Sequence, residues 1–357
     1  AQFGRIVRED ILPGIRMLHF LDADDVQKIL KMEGKCPRRP VPQPLKIYRE
    51  QQNYSGGLAT LHGKEWHRYR SHVQKYTLRP KIVGSYFKSQ EVIAEEFVER
   101  MAEVRQPGGE IEDFVTELYR WACESVAIVC FDTRLGLLDK QKQNETGNEF
   151  FVTLAKYFAC FQELLYSTQI HVKFQTKCWK NYVKYSDIMW QHTLRMVNDA
   201  MEKIQDDSGP SDTPGLLKSL LSEESLKRDE IIVLVNDLLT GGVESTAHTM
   251  AFLLCNLASH PEVQEKLREE VFSIAPPGTH LDPNVIYQMK YMNACLQESF
   301  RVLPSVPYGV VRILEKDITL QGYDIPAGTV IMAHTMVSSK DCKYFKDPAE
   351  YRPERWL

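Results

Sequence analysis

Apolar residues recur at three-to-four spacing over Ser89 to Arg105, Ile111 to Cys130, Glu149 to Tyr166, Gln175 to Gln205 and Asp229 to Ser259, which predicts a succession of helices. Turn-forming text such as QPGGE and DDSGPSDTPG separates them. Asp229 is placed to cap the last of these, and His260-Pro261 both ends it and opens a further helix, PEVQEKLREEVFSIA. Strand-like alternation is confined to the ends of the chain: RIVRED and IRMLHFL early, then GVVRILE, ITLQGYDIP and TVIMAHTMV late, punctuated by Gly322 and Pro326. The pattern predicts a mainly α protein with small β-sheets drawn from both termini. It reads as one intertwined domain over residues 1–357 rather than two in series.

Composition narrows the function more than the fold. With 357 residues, 43% of them hydrophobic and 26% charged, the chain is an ordinary globular one. Its 44 Lys and Arg against 48 Asp and Glu leave a net charge of -4, so no basic field argues for nucleic acid. No apolar run is long enough to span a bilayer without a charge interrupting it. The eight cysteines are scattered with no CxxC pair, which favours reduced, mostly buried thiols over disulfides or zinc. The ten histidines lack the paired spacing of metal ligands, and CPRRPVPQP reads as a proline-stiffened loop. The opening AQFGRIVRED has no initiator Met, and RPERWL stops where an extended loop begins, so the chain reads as an internal fragment.

One stretch breaks the apolar pattern. LLTGGVESTAHTM places Gly241, Gly242, Glu244, Ser245 and Thr246 inside a helix that would be about 46 Å long at ~1.5 Å per residue, enough to cross the middle of a domain. Two interior glycines cost roughly 1 kcal/mol each relative to Ala, so something must approach the backbone closely. A carboxylate beside two hydroxyls, which can bond back to the preceding turn and loosen the helix, describes a groove holding a proton-transfer pair. The plainer reading is a small-residue helix crossing with a solvated Glu.

Three further motifs bear on that choice. YMNACLQESFRVLP carries Glu298 and Arg301 three apart on one helical face, a pattern that alone is common. GKEWHRYRSHVQ puts the indole N–H of Trp66 and the guanidinium of Arg70 four apart, two donors suited to a carboxylate. DPAEYRPERWL closes the chain with a turn whose Arg355 can lock onto Glu298 and Arg301.

Taken in this order across nearly the whole chain, these motifs resemble those of the cytochrome P-450 family of haem-thiolate monooxygenases. EGKCPRRPVPQPLKIYREQQNYSGGLATLHGKEWHRYR and VLPSVPYGVVRILEKDITLQGYDIPAGTVIMAHTMVSS are similar to the mitochondrial branch, closest to its sterol, steroid and vitamin D hydroxylases. The resemblance implies a cytochrome P-450 fold, truncated at both ends, with haem b as cofactor. It implies that Gly241 and Gly242 make room for dioxygen and that Glu244 with Ser245 or Thr246 relays protons. Trp66, Arg70 and Arg312 would bind haem propionates, and Glu298, Arg301 and Arg355 would be structural. Leu239, Val243, Val306 and Tyr308 are the expected contacts to a lipophilic substrate. The iron-ligand Cys would lie beyond Leu357, since none of the eight cysteines has its Phe- and Gly-containing context, and residues 1–357 alone would be inert.

The resemblance also implies O2 as co-substrate, a [2Fe–2S] ferredoxin with its NADPH-dependent reductase as electron source, peripheral membrane contact and a mitochondrial location on the matrix side of the inner membrane. Ferredoxin-docking cations of that branch fall at Asn293 and Gln297, which carry no charge here, with Lys290 one turn back. A fatty-acid or xenobiotic hydroxylase, or a helical lipid-binding module without chemistry, are the alternative readings.

Overall fold

The computed structural model describes residues 4–12, 15–139, 145–165, 167–206, 215–307 and 309–357. Helices dominate, and their ends follow local chemistry more closely than periodicity does. Asp113, in the left-handed region at φ 50°, starts the Phe114–Phe131 helix three residues later than the apolar pattern suggests. The helix expected from Glu149 begins at Glu145 and ends at Leu164, and Tyr166 lies outside the described residues. The next long helix opens at Lys177 rather than Gln175, because Gln175 has φ 47° and the Thr176 hydroxyl accepts from Trp179 N at 3.3 Å.

Arg228–Ser259 is the longest helix, and it begins one residue before Asp229. Asp229 therefore sits in the first turn instead of capping it, where its carboxylate faces the positive end of the helix dipole and accepts from Ser55 Oγ at 2.6 Å. Pro261, at the first position of Pro261–Ile274, starts the following helix as its fixed φ favours. No helix among the described residues is long and apolar enough to cross a membrane.

The chain divides into two compact units. One gathers residues 1–40, 62–67 and 248–357 and contains all the sheet among the described residues. Strands β1 (Ile6–Leu12) and β2 (Ile15–Phe20) pair antiparallel. β3 (Val310–Ile313), β4 (Ile318–Leu320), β5 (Tyr323–Ile325) and β6 (Val330–Ala333) follow from the other end of the chain. The larger sheet has the order β1-β2-β6-β3, with β2 parallel to β6 and β3 antiparallel to it, while β4 and β5 form a separate hairpin. Phe20, Ile29, Leu314, Ile318, Leu320, Ile325 and Ile331 make its apolar core.

The other unit, residues 41–61 and 68–247, is helical. Its Phe114–Phe131 helix is buried along most of its length, and Glu145–Leu164 packs along Lys177–Asp206. A buried ion pair crosses this core. Arg49 Nη2 lies 2.5 Å from Asp237 Oδ1, and both side chains are almost wholly enclosed. Asp237 also accepts from Ala59 N at 3.1 Å, so the loop through Gly57 clasps the Arg228–Ser259 helix. Gly57 has φ +87°, and a Cβ there would stand 2.3 Å from Val233 Cγ1 and 2.5 Å from Asp237 Oδ2. Gly57→Ala should lower stability to urea by about 2–4 kcal/mol, from backbone strain plus overpacking. An unchanged urea midpoint would mean that the clasp contributes nothing.

Candidate functional site

The helix Lys290–Val302 presents Glu298 and Arg301 into the interior of the sheet-containing unit, where Glu298 is fully buried and Arg301 nearly so. Burying that carboxylate is costly unless its lone pairs are filled, and they are. Arg301 Nε and Nη2 donate to its two oxygens at 2.9 and 2.8 Å. Arg355 Nε and the Arg352 backbone N–H both donate to Oε1 at 2.9 Å, and the Trp356 indole donates to Oε2 at 2.8 Å.

Arg301 is equally saturated. Its other N–H groups donate to the carbonyls of Ser339, Pro348 and Glu350 at 2.8–2.9 Å, so all five donors of the fork are used. Arg355 adds bonds to the carbonyls of Lys346 and Asp347 at 2.6 and 3.0 Å. Burial works against ionising Glu298, but these donors outweigh it and hold its pKa below the usual carboxylate range. Trp356 escaped the sequence reading, although it stands beside Arg355 in the turn Pro353–Trp356.

The two glycines of the long helix behave differently. A Cβ on Gly242 would meet Val126 Cγ2 and Cγ1 at 3.0 and 3.1 Å, so Gly242 serves a close crossing with the Phe114–Phe131 helix. Gly241 is exposed, and a Cβ there would meet nothing within 4 Å. Ser245, one turn on, is also exposed and donates its Oγ to Gly241 O at 2.8 Å. Gly241 and Ser245 thus form an open strip on a helix flanked by buried Leu239, Val243 and Ala247. Thr246 falls on the Gly242 side. Glu244 Oε1 accepts from Gln162 Nε2 at 3.2 Å, and its charge, after burial, helps to push the Tyr119 hydroxyl up to about 12.

The remaining expected positions divide. Trp66 is half-buried, with the Arg39 guanidinium 5.3 Å from its ring centre. Arg70, one turn along Gly63–Thr77, is half-buried with no hydrogen-bond or ionic partner among the described residues. Arg312, expected at a propionate, instead has its Nε 2.5 Å from a carboxylate oxygen of Glu33 and donates to Val311 O at 3.0 Å. Val306 is 59% exposed. Leu239 and Val243 are fully buried and pack within the helical unit. Tyr308 lies outside the described residues.

A family model described as Cytochrome P450 matches residues 1–357. The chain belongs to that family. It is 29% identical to the mitochondrial 1,25-dihydroxyvitamin D(3) 24-hydroxylase of Rattus norvegicus, over all of this chain and 68% of that protein. It is 32% identical to cytochrome P450 CYP12A2 of Musca domestica, over 93% of this chain and 64% of that protein. The fold matches a solved structure of retinoic acid bound cyanobacterial CYP120A1 at a TM-score of 0.78, with 20% identity, covering 99% of this chain and 74% of that one.

As a P450, the protein is of the monooxygenase family and its cofactor is haem. The residues in hand fit that group. An unpaired, half-buried Arg70 suits a propionate, and the open strip at Gly241 and Ser245 leaves room beside a backbone that a side chain would otherwise fill.

In this P450 the hub at Glu298 predicts acid sensitivity. A depressed folded pKa contributes stability that is present above the ordinary carboxylate value, near 4.3, and is lost as pH falls through the lower folded value. Glu298→Gln should therefore cost about 3–5 kcal/mol near neutrality, and the deficit should shrink on acidification. Trp356→Phe, which removes one donor of the hub, should cost about 1–2 kcal/mol. Urea titrations across pH check both, and a pH-independent Glu298→Gln deficit contradicts the assigned ionisation.

Proposed function

We propose that the complete protein inserts one oxygen atom of O2 into a C–H bond of a lipophilic substrate, a sterol, steroid or secosteroid, in the manner of the vitamin D hydroxylase it is similar to. Haem ligated by thiolate supplies oxygen activation of this kind. Trp66, Arg70 and Arg312 would hold its propionates. Among the eight cysteines, Cys130 and Cys295 are buried with thiols pushed by desolvation up to about 12 and about 11, which makes them poor thiolate donors. An iron-ligating thiolate would come from a cysteine other than these two.

The observation that carries the reading is the open strip on the long helix. Gly241 keeps the backbone approachable between buried Leu239 and Val243, and Ser245 places a hydroxyl beside it. Reduction of the second oxygen atom to water consumes two protons and two electrons, and protons need a fixed route. Glu244, reached by Gln162, would take them from solvent, and Ser245 would hand them on. Ser245 is favoured over Thr246 because Thr246 shares the side of Gly242, which is closed by Val126. In the protein carrying its ligand loop, Ser245→Ala should keep haem and substrate binding while diverting electrons to peroxide or water, and Thr246→Ala should stay coupled. The ratio of product to NADPH consumed decides, and the reverse outcome reassigns the relay.

Relatives named as mitochondrial support a mitochondrial location. In the proposed reading the protein sits on the matrix side of the inner membrane with peripheral contact to it, and takes electrons from a [2Fe–2S] ferredoxin and its NADPH-dependent reductase. Asn293 is exposed and Gln297 half-buried on the Lys290–Val302 helix, with exposed Lys290 at its start. With two docking charges replaced by amides, reduction should depend less on salt than steered association normally does. Asn293→Lys with Gln297→Lys should lower the apparent ferredoxin KM, most clearly at low ionic strength. Single-turnover reduction by a microsomal diflavin reductase and not by ferredoxin would overturn the mitochondrial assignment.

A further inference from the structure

Four side chains spread over 18 positions meet where the helices Glu145–Leu164 and Lys177–Asp206 are joined. Ligand atoms of Glu163, His171 and Cys178 all lie within 4.8 Å of one another, with Glu163 exposed and the other two half-buried. Cys160, one turn before Glu163, stands beside Cys178, whose Sγ is 3.8 Å from the Cys160 carbonyl. The His171 ring is held by its Nδ1, 2.7 Å from Thr176 Oγ1. A hydrogen bond from the other ring nitrogen is what commonly orients a metal-bound imidazole.

We propose that Glu163, His171 and Cys178 form a binding site for a divalent cation of the zinc class, with Cys160 placed to supply a fourth donor. A thiolate, an imidazole and a carboxylate suit zinc and exclude magnesium or calcium, which take oxygen donors. Tetrahedral bonds of about 2.0–2.3 Å separate donor atoms by about 3.3–3.8 Å, so the three must close by roughly 1 Å, within reach of side-chain rotation. Binding would replace the Cys178 thiol proton with the metal and release it to solvent. The cation would clamp the two helix ends and fix the connection between them, which carries the exposed apolar side chains Ile170 and Phe174.

The test uses the haem-loaded full-length protein under a thiol reductant, with Zn2+ itself as the probe. Competition against a chromophoric chelator should give one zinc per chain, and zinc-edge X-ray absorption should show sulfur at about 2.3 Å. Cys178→Ser and His171→Gln should each weaken binding by at least about 100-fold, the upper end of what losing even a supporting residue does. Glu163→Gln, at an exposed position, is the variant least able to disturb folding, and an unchanged Soret band confirms that each variant is folded. Cys160→Ser should reduce the sulfur count by one, and an unchanged count removes Cys160 from the site. Zinc bound through nitrogen and oxygen alone, or with the same affinity in wild type and Cys178→Ser, overturns the proposal.

Discussion

One buried carboxylate organises the sheet-containing unit. Glu298 has no access to solvent, so every lone pair it brings inside must be answered, and five donors answer it. Those donors come from its own helix and from the turn Pro353–Trp356, while Arg301 gathers carbonyls from the segment between Ser339 and Glu350. An irregular stretch with few apolar residues of its own is held in one conformation by charge saturation. Such an arrangement specifies geometry more than it contributes net stability, since the same desolvation that makes the pair strong makes either partner costly alone.

The long helix solves a different problem. It must be packed and approachable within one turn, and the glycine pair divides the work. Gly242 brings the backbone against Val126, and Gly241 leaves the adjoining side open. The close crossing at Gly242 and the open backbone at Gly241 thus stand at neighbouring residues. The Ser245 hydroxyl, bonded back to Gly241 O, both occupies a backbone acceptor and stays exposed.

Helices and strands were legible because burial repeats with their periods, and the Glu298–Arg301 pair because i,i+3 residues share a face. Partners far apart in sequence were not legible. Nothing local to Asp237 points to Arg49, 188 residues away, as its partner. The pairing of Arg312 with Glu33 likewise depends on the tertiary fold. Cys160, Glu163, His171 and Cys178 look scattered until two helix ends bring them together. Asp229 was misplaced by one residue, since a first-turn acid and a cap carry the same local signature.

The parallel pairing of β2 with β6 bears on how the chain is made. Met17 faces Val330, roughly 300 residues later, with no shorter route to that sheet edge. At about 5–20 residues per second, the β1–β2 hairpin leaves the ribosome some 15–60 s before its neighbour exists. During that interval one side of β2 has unpaired backbone groups, open to any other extended chain. Synthesis of this protein therefore includes a waiting period in which a chaperone on the N-terminal hairpin would matter more than it does for the helical unit, whose segments between residues 41 and 247 are complete much earlier.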